Sequence, residues 1–211
     1  MPIFDPDSKF MRVTGTMLDY LKIGLLFMFF SIPVFPMGAA AAAAMTVAMK
    51  IARGEAPAVW QPFWKALKQN FKQGTALLGI FLLLFALLGF DWYYVMDMES
   101  TTLVRVARAG IVLLTLLITT IALYSFAIIA RYELGIKAVL RNAVIYTILY
   151  FPRNLFTVAM IAAGILAYNF LPPIIPLVVS IVPPVVIWNF SKTCVKAFRA
   201  SESRAEDDED E

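Results

Sequence analysis

Histidine is absent from the 211 residues, and cysteine occurs once, at Cys194. These absences remove imidazole acid–base chemistry, histidine metal sites and any disulfide within the chain. Charge is also scarce: 16% of residues are Asp, Glu, Lys or Arg, against about 25% in an ordinary soluble domain. Neither a Walker-type phosphate loop nor an HExxH or GxSxG sequence occurs. The residue set argues against an enzyme and offers no cofactor or metal site. Cys194 lies among the basic residues Lys192, Lys196 and Arg199 and reads as a packing residue.

Apolar residues are what the chain has in excess, at 61%. A soluble domain of this size must cover itself with polar surface. Here the apolar residues run in long blocks, for which a bilayer is the simplest solvent. The blocks are Leu18–Phe35, Met37–Ile51, Gly74–Tyr94, Gly110–Ala130, Leu155–Phe170 and Ile174–Phe190. The expected fold is an all-α polytopic transmembrane helix bundle of about six membrane segments. It has five if 37–51 is re-entrant, since a full span needs about 20 residues. The alanine run Ala39–Ala44 suits close packing in the bundle interior.

Basic residues orient the segments. Lys65, Lys68 and Lys72 precede the third block; Arg131, Lys137, Arg141 and Arg153 separate the fourth and fifth; Lys192, Lys196 and Arg199 follow the last. If six segments alternate, these groups share one side, and the positive-inside rule makes that side cytoplasmic. Both termini are then cytoplasmic; if 37–51 is re-entrant, the five remaining spans leave the N-terminus outside. Arg105 and Arg108 fall on the other side, near Asp97 and Glu99. A signal peptide is a competing reading of the start, with Lys9 and Arg12 ahead of an apolar run. Asp5, Asp7, Asp19 and Lys22 speak against it.

Residues 1–200 carry 17 Lys+Arg and 8 Asp+Glu, a net +9, whereas Glu202–Glu211 holds seven acids and one base. The expected organisation is one membrane domain over 1–200 and a disordered acidic tail over 201–211. Such a basic membrane body engages a lipid bilayer and does not call for nucleic acid.

Two amphipathic segments, Trp60–Lys72 and Gly135–Tyr150, are expected on the cytoplasmic side. Phe63, Leu67 and Phe71 form a stripe at four-residue spacing, with lysines on a neighbouring face. That is the pattern of a helix lying in the interface. Lys65, Lys68, Lys72, Lys137 and Arg141 are the candidate partner-docking or lipid-facing residues. The stretches Lys65–Asn70 and Lys137–Asn142 look alike, through either duplication or convergent use of interfacial residues.

The order of short motifs carries a resemblance. Asn70-Phe71-Lys72-Gln73 with Thr75, then Ala130-Arg131-Tyr132, Asn142-Ala143 and Phe151-Pro152-Arg153 follow an early SIPVFPMGAAAAAA. In that order the chain resembles the YesL-like integral membrane proteins, bacterial domain of unknown function DUF624, over roughly residues 10–195. The resemblance implies a bacterial inner-membrane protein often encoded near carbohydrate uptake and breakdown genes, and it implies no reaction.

Several polar residues lie in apolar surroundings. Asp19 and Lys22 are three apart, and Asp91 has Arg108 as a candidate partner. Intramembrane charges are functional candidates, while lysines near an edge can snorkel. Thr115, Thr119, Thr120 and Ser125 can bond their own helix or a neighbour. Pro183 and Pro184 are a candidate helix break, either a kink or a site lining. The expected function is an accessory or regulatory component of carbohydrate (oligosaccharide) uptake, whose partners would be the permease or other subunits of a carbohydrate ABC importer. The alternative is a small transporter, acting alone or as a homo-oligomer.

Overall fold

The computed structural model describes residues 9–55, 58–170 and 175–209. They form eight helices: α1 (Lys9–Ser31), α2 (Met37–Ala52), α3 (Trp60–Gln69), α4 (Phe71–Met96), α5 (Thr102–Ile129), α6 (Ile136–Leu149), α7 (Phe151–Phe170) and α8 (Ile175–Glu209). No strand occurs among the described residues. The expected start of the last span at Ile174, and Pro172 and Pro173, lie outside them. So do the side chains of Lys9, Arg12, Asn169 and Pro176.

Local chemistry sets the helix ends. Alanine is the best helix former, and α2 uses it until Gly54, whose φ of +87° costs no Cβ clash. The Gly54 amide donates to Ile51 O and the Glu55 amide to Lys50 O, a Schellman closure that satisfies the last carbonyls. At the end of α3 the Asn70 side-chain amide donates to Ala66 O at 3.0 Å, competing with the backbone ladder. There the chain redirects into α4. Thr101 caps α5, its hydroxyl accepting from the Val104 amide at 3.3 Å. Helices α6 and α7 meet at 96°, with Pro152 in the first turn of α7, where its missing N–H costs nothing.

Helix α2 is the hub. Ala39, Ala40, Ala42, Ala43, Val47 and Ala48 are fully enclosed, as the alanine run predicted. It meets the first turn of α4 at Gly38 and Gly74, so closely that a Cβ on Gly74 would lie 2.7 Å from Ala39 N. It meets the end of α5 where the Thr46 hydroxyl donates to Ala130 O at 3.3 Å. It meets α1 and α8 where the Tyr20 hydroxyl donates to Ala48 O and bonds Ser191 Oγ, each at 3.2 Å. Along its length α2 therefore passes several helices in turn. Two cores flank it, one of α4, α5, α6 and α8 side chains around Tyr124, Phe190 and Phe198, the other of α1 and α3 around Ile23 and Phe63.

This packing departs from strict six-span alternation and fits the alternative in which 37–51 is re-entrant. Alternation puts the turn after the first segment and the start of the third on opposite faces, about 30 Å apart. Instead the rings of Phe35 and Phe71 lie 6.1 Å apart, and the Thr75 hydroxyl donates to Phe35 O at 3.2 Å. At 16 residues, α2 is also shorter than a span. Among the described residues, three helices are long and apolar enough to cross a membrane, within α1, α4 and α5, and the bent pair α6–α7 makes a fourth if it counts as one. Helix α8 continues through residues 201–209, while 210–211 lie outside the described residues.

The Gly38–Gly74 contact is testable by adding one methyl. Gly74→Ala should destabilise the bundle by about 1–3 kcal/mol through overpacking. Gly79, with open space around its α-carbon, should tolerate alanine or gain slightly. Thermal aggregation midpoints in detergent separate the two, and equal midpoints contradict the contact.

Candidate functional site

Helix α3 buries Phe63, Ala66 and Leu67 and exposes Trp60, Trp64, Lys65 and Lys68. Trp60 and Trp64 stack in parallel at 6.3 Å, and Lys68 Nζ sits 5.0 Å above the Trp64 ring, a cation–π contact. Phe71, the third member of the expected stripe, falls on α4 and is exposed because the chain turns at Asn70. Lys72 is exposed in the first turn of α4, and Lys137 and Arg141 are exposed on α6. All five expected basic residues are thus exposed at the surface. The two look-alike stretches sit differently: Asn70 ends its helix, whereas Asn142 lies within α6. They share a buried third position, Leu67 and Val139, as any amphipathic helix would.

Asp19 and Lys22 form a 3.0 Å ion pair, with Lys22 largely exposed. Asp91 and Arg108 do not pair. The Arg108 guanidinium instead donates to the carbonyls of Val95, Met96 and Met98 and to Ser100 Oγ. The reason is local: the last carbonyls of α4 are unmet acceptors at the negative end of its dipole, and a guanidinium can satisfy several at once. Asp91 is exposed. Pro183 and Pro184 lie inside α8, which runs through both. Pro184 is buried in the space left by Gly24, where an added Cβ would come within 2.5 Å of the proline ring. Packing, not a broken helix, is what the pair produces. Thr115, Thr119, Thr120 and Ser125 all bond carbonyls of their own helix.

Sequence reasoning missed a polar seam between α5, α6, α7 and α8. The buried Tyr124 hydroxyl donates to Asn154 Oδ1 at 2.9 Å. Asn154 Nδ2 donates to Thr147 O at 3.0 Å, and Asn189 Nδ2 donates to Thr157 Oγ1 at 3.1 Å. Each buried polar group is matched, as burial demands. The signal available was an asparagine following Phe151-Pro152-Arg153; its partners, 30 residues away in the case of Tyr124, have no sequence signature.

A second missed cluster ties α8 to the loop after α5. Arg131 Nη2 reaches both carboxylate oxygens of Glu202, at 2.8 and 2.9 Å, and the Tyr132 hydroxyl donates to Glu202 Oε1 at 2.8 Å. The guanidinium also lies 5.6 Å from the Tyr132 and Phe198 rings. Burial, with the hydrogen bond to the Glu202 carboxylate, pushes the Tyr132 phenol above its ordinary value. Glu202 had been counted with the tail because it begins the acidic run.

Two outcomes follow for this cluster. Glu202→Gln removes a partly exposed ion pair worth about 1 kcal/mol, so amide exchange over residues 198–203 should quicken severalfold; unchanged exchange contradicts the tie. A raised phenol favours the folded state fully below its unfolded value, near pH 10, and that contribution is lost as pH rises through the folded value. Alkaline unfolding should therefore be less steep in Tyr132→Phe than in the unaltered chain, and identical profiles would exclude the contribution.

The comparisons with known proteins are narrow. No curated protein and no solved structure gives a significant match. The matched segment holds α3, the Gly38–Gly74 contact and the turn at Phe35, and it stops before Arg131. Over residues 20–92 the chain matches the family described as "Protein of unknown function, DUF624", in accord with the DUF624 assignment made from its motifs.

Proposed function

We propose that this chain is a non-catalytic accessory or regulatory component of a carbohydrate uptake system, set in the inner membrane of a bacterial cell with its basic helices facing the cytoplasm. One observation carries the reading. The centre of the bundle is occupied by the enclosed alanines of α2, while the exposed aromatic and basic residues stand on short helices at its edge. A filled centre favours a scaffold over a conduit. Free amphipathic faces favour docking. The link to carbohydrate comes from the family resemblance, and the partner it points to is the permease or another subunit of an oligosaccharide ABC importer.

A second reading, a small transporter, draws on the polar seam of Tyr124, Asn154, Thr157 and Asn189, which offers amide and hydroxyl groups inside an apolar bundle. Such residues can mark a substrate path.

Crosslinking and affinity capture from native membranes separate the two. Changing Lys65, Lys68 and Lys72 together to Glu should cut recovery of the importer subunit about tenfold, the equivalent of ~1.4 kcal/mol, while insertion stays intact. Equal recovery contradicts the docking face. Sugar flux in liposomes holding this chain alone, lost in Asn189→Ala, would favour the transporter.

A further inference from the structure

Four cations surround a recess that shares only Asn189 with the readings above. Helix α8 contributes Lys192, Lys196 and Arg199, spaced i, i+4, i+7 on one face. Arg153 comes from the first turn of α7. The recess between them has a volume of about 650 Å³ and is also lined by Ala52, Pro152, Phe156, Asn189 and Thr193. None of the four cations is in an ion pair with another described residue. Glu55 and Glu202, acids from neighbouring segments, are already taken by Arg53 and Arg131. Among the described residues the recess therefore gathers four cations with no acidic partner, Lys192 meeting only the Trp188 ring at 4.1 Å, with the positive end of the α7 dipole added.

We propose that this recess binds a phosphate group. Four cations exceed what a single carboxylate needs and match a group bearing up to two charges on several oxygens. Two of them are arginines, whose planar fork meets phosphate oxygens in pairs. Asn189 and Thr193 supply uncharged polar atoms at the wall. Basic pockets between membrane helices hold anionic headgroups by this chemistry. Two exposed apolar side chains lie at the recess, Phe156 in its wall and Trp188, whose ring is 4.1 Å from Lys192 Nζ. They would carry the acyl chains of a phospholipid, whereas a soluble phosphate would use the recess alone. The site does not require a partner importer.

The test uses the full chain in a neutral detergent and three probes: phosphatidylglycerol, phosphatidylcholine and inorganic phosphate. Binding is measured for the unaltered chain, for Lys196→Gln with Arg199→Gln, and for Arg105→Gln, each checked for an unchanged gel-filtration profile. The expected result is saturable binding at one site per chain, weakened about tenfold in the first variant and unchanged in the second. Saturation by phosphatidylglycerol and not phosphatidylcholine identifies a lipid headgroup; saturation by inorganic phosphate identifies a soluble ligand. The proposal is overturned if neither anionic probe saturates, if phosphatidylcholine binds as well as phosphatidylglycerol, or if the two variants weaken binding equally.

Discussion

The close approach of Gly38 to Gly74 is the constraint on which the rest of the architecture depends. No side chain separates the two backbones there, so α2 can lie against the first turn of α4. Between apolar helices in lipid, burial supplies little net drive, and association rests on contact packing and interhelical hydrogen bonds. Small residues are therefore the means by which this chain brings helices together. The enclosed alanines extend the same logic along α2, and Gly24 repeats it for α1 against Pro184 of α8.

With α2 fixed, few polar contacts are needed to order the remaining helices. Thr46 ties α2 to the end of α5. Tyr20 ties α1 to both α2 and α8. Asn154 and Asn189 join α7 to its neighbours, and Arg131 with Tyr132 secures α8 beyond the point where its apolar residues end. In a low-dielectric interior an unmet amide or hydroxyl is costly, so each of these bonds selects one arrangement as well as stabilising it. The free charges are left at the surface of α3 and α6 and around the recess between α7 and α8, which is where the chain has the means to meet a partner or a ligand.

The helical character, with helices apolar and long enough to cross a membrane, was legible because apolar blocks are local signals. So was the interior place of α2, since six consecutive alanines have few other uses. The choice between six alternating segments and a re-entrant 37–51 was not, because alternation is a rule about independent spans, and α1 and α2 fold back to meet the start of α4. Asp91 and Arg108 are near in sequence, but the guanidinium meets a denser set of acceptors in the carbonyls at and just past the end of α4. Glu202 was hidden by its acidic neighbours, and the recess by its composition from two helices that only packing brings together.

The central claim is that the turn after α1 packs against the start of α4 instead of lying across the membrane from it. Replace Cys194 with Ala, place single cysteines at Phe35 and Phe71, and treat native membranes with a short bifunctional maleimide. The account predicts efficient crosslinking within one chain, seen as a single fragment after cleavage between the two positions. Failure to crosslink, with the two cysteines labelled by impermeant reagents from opposite sides of the membrane, would contradict it and restore six alternating spans.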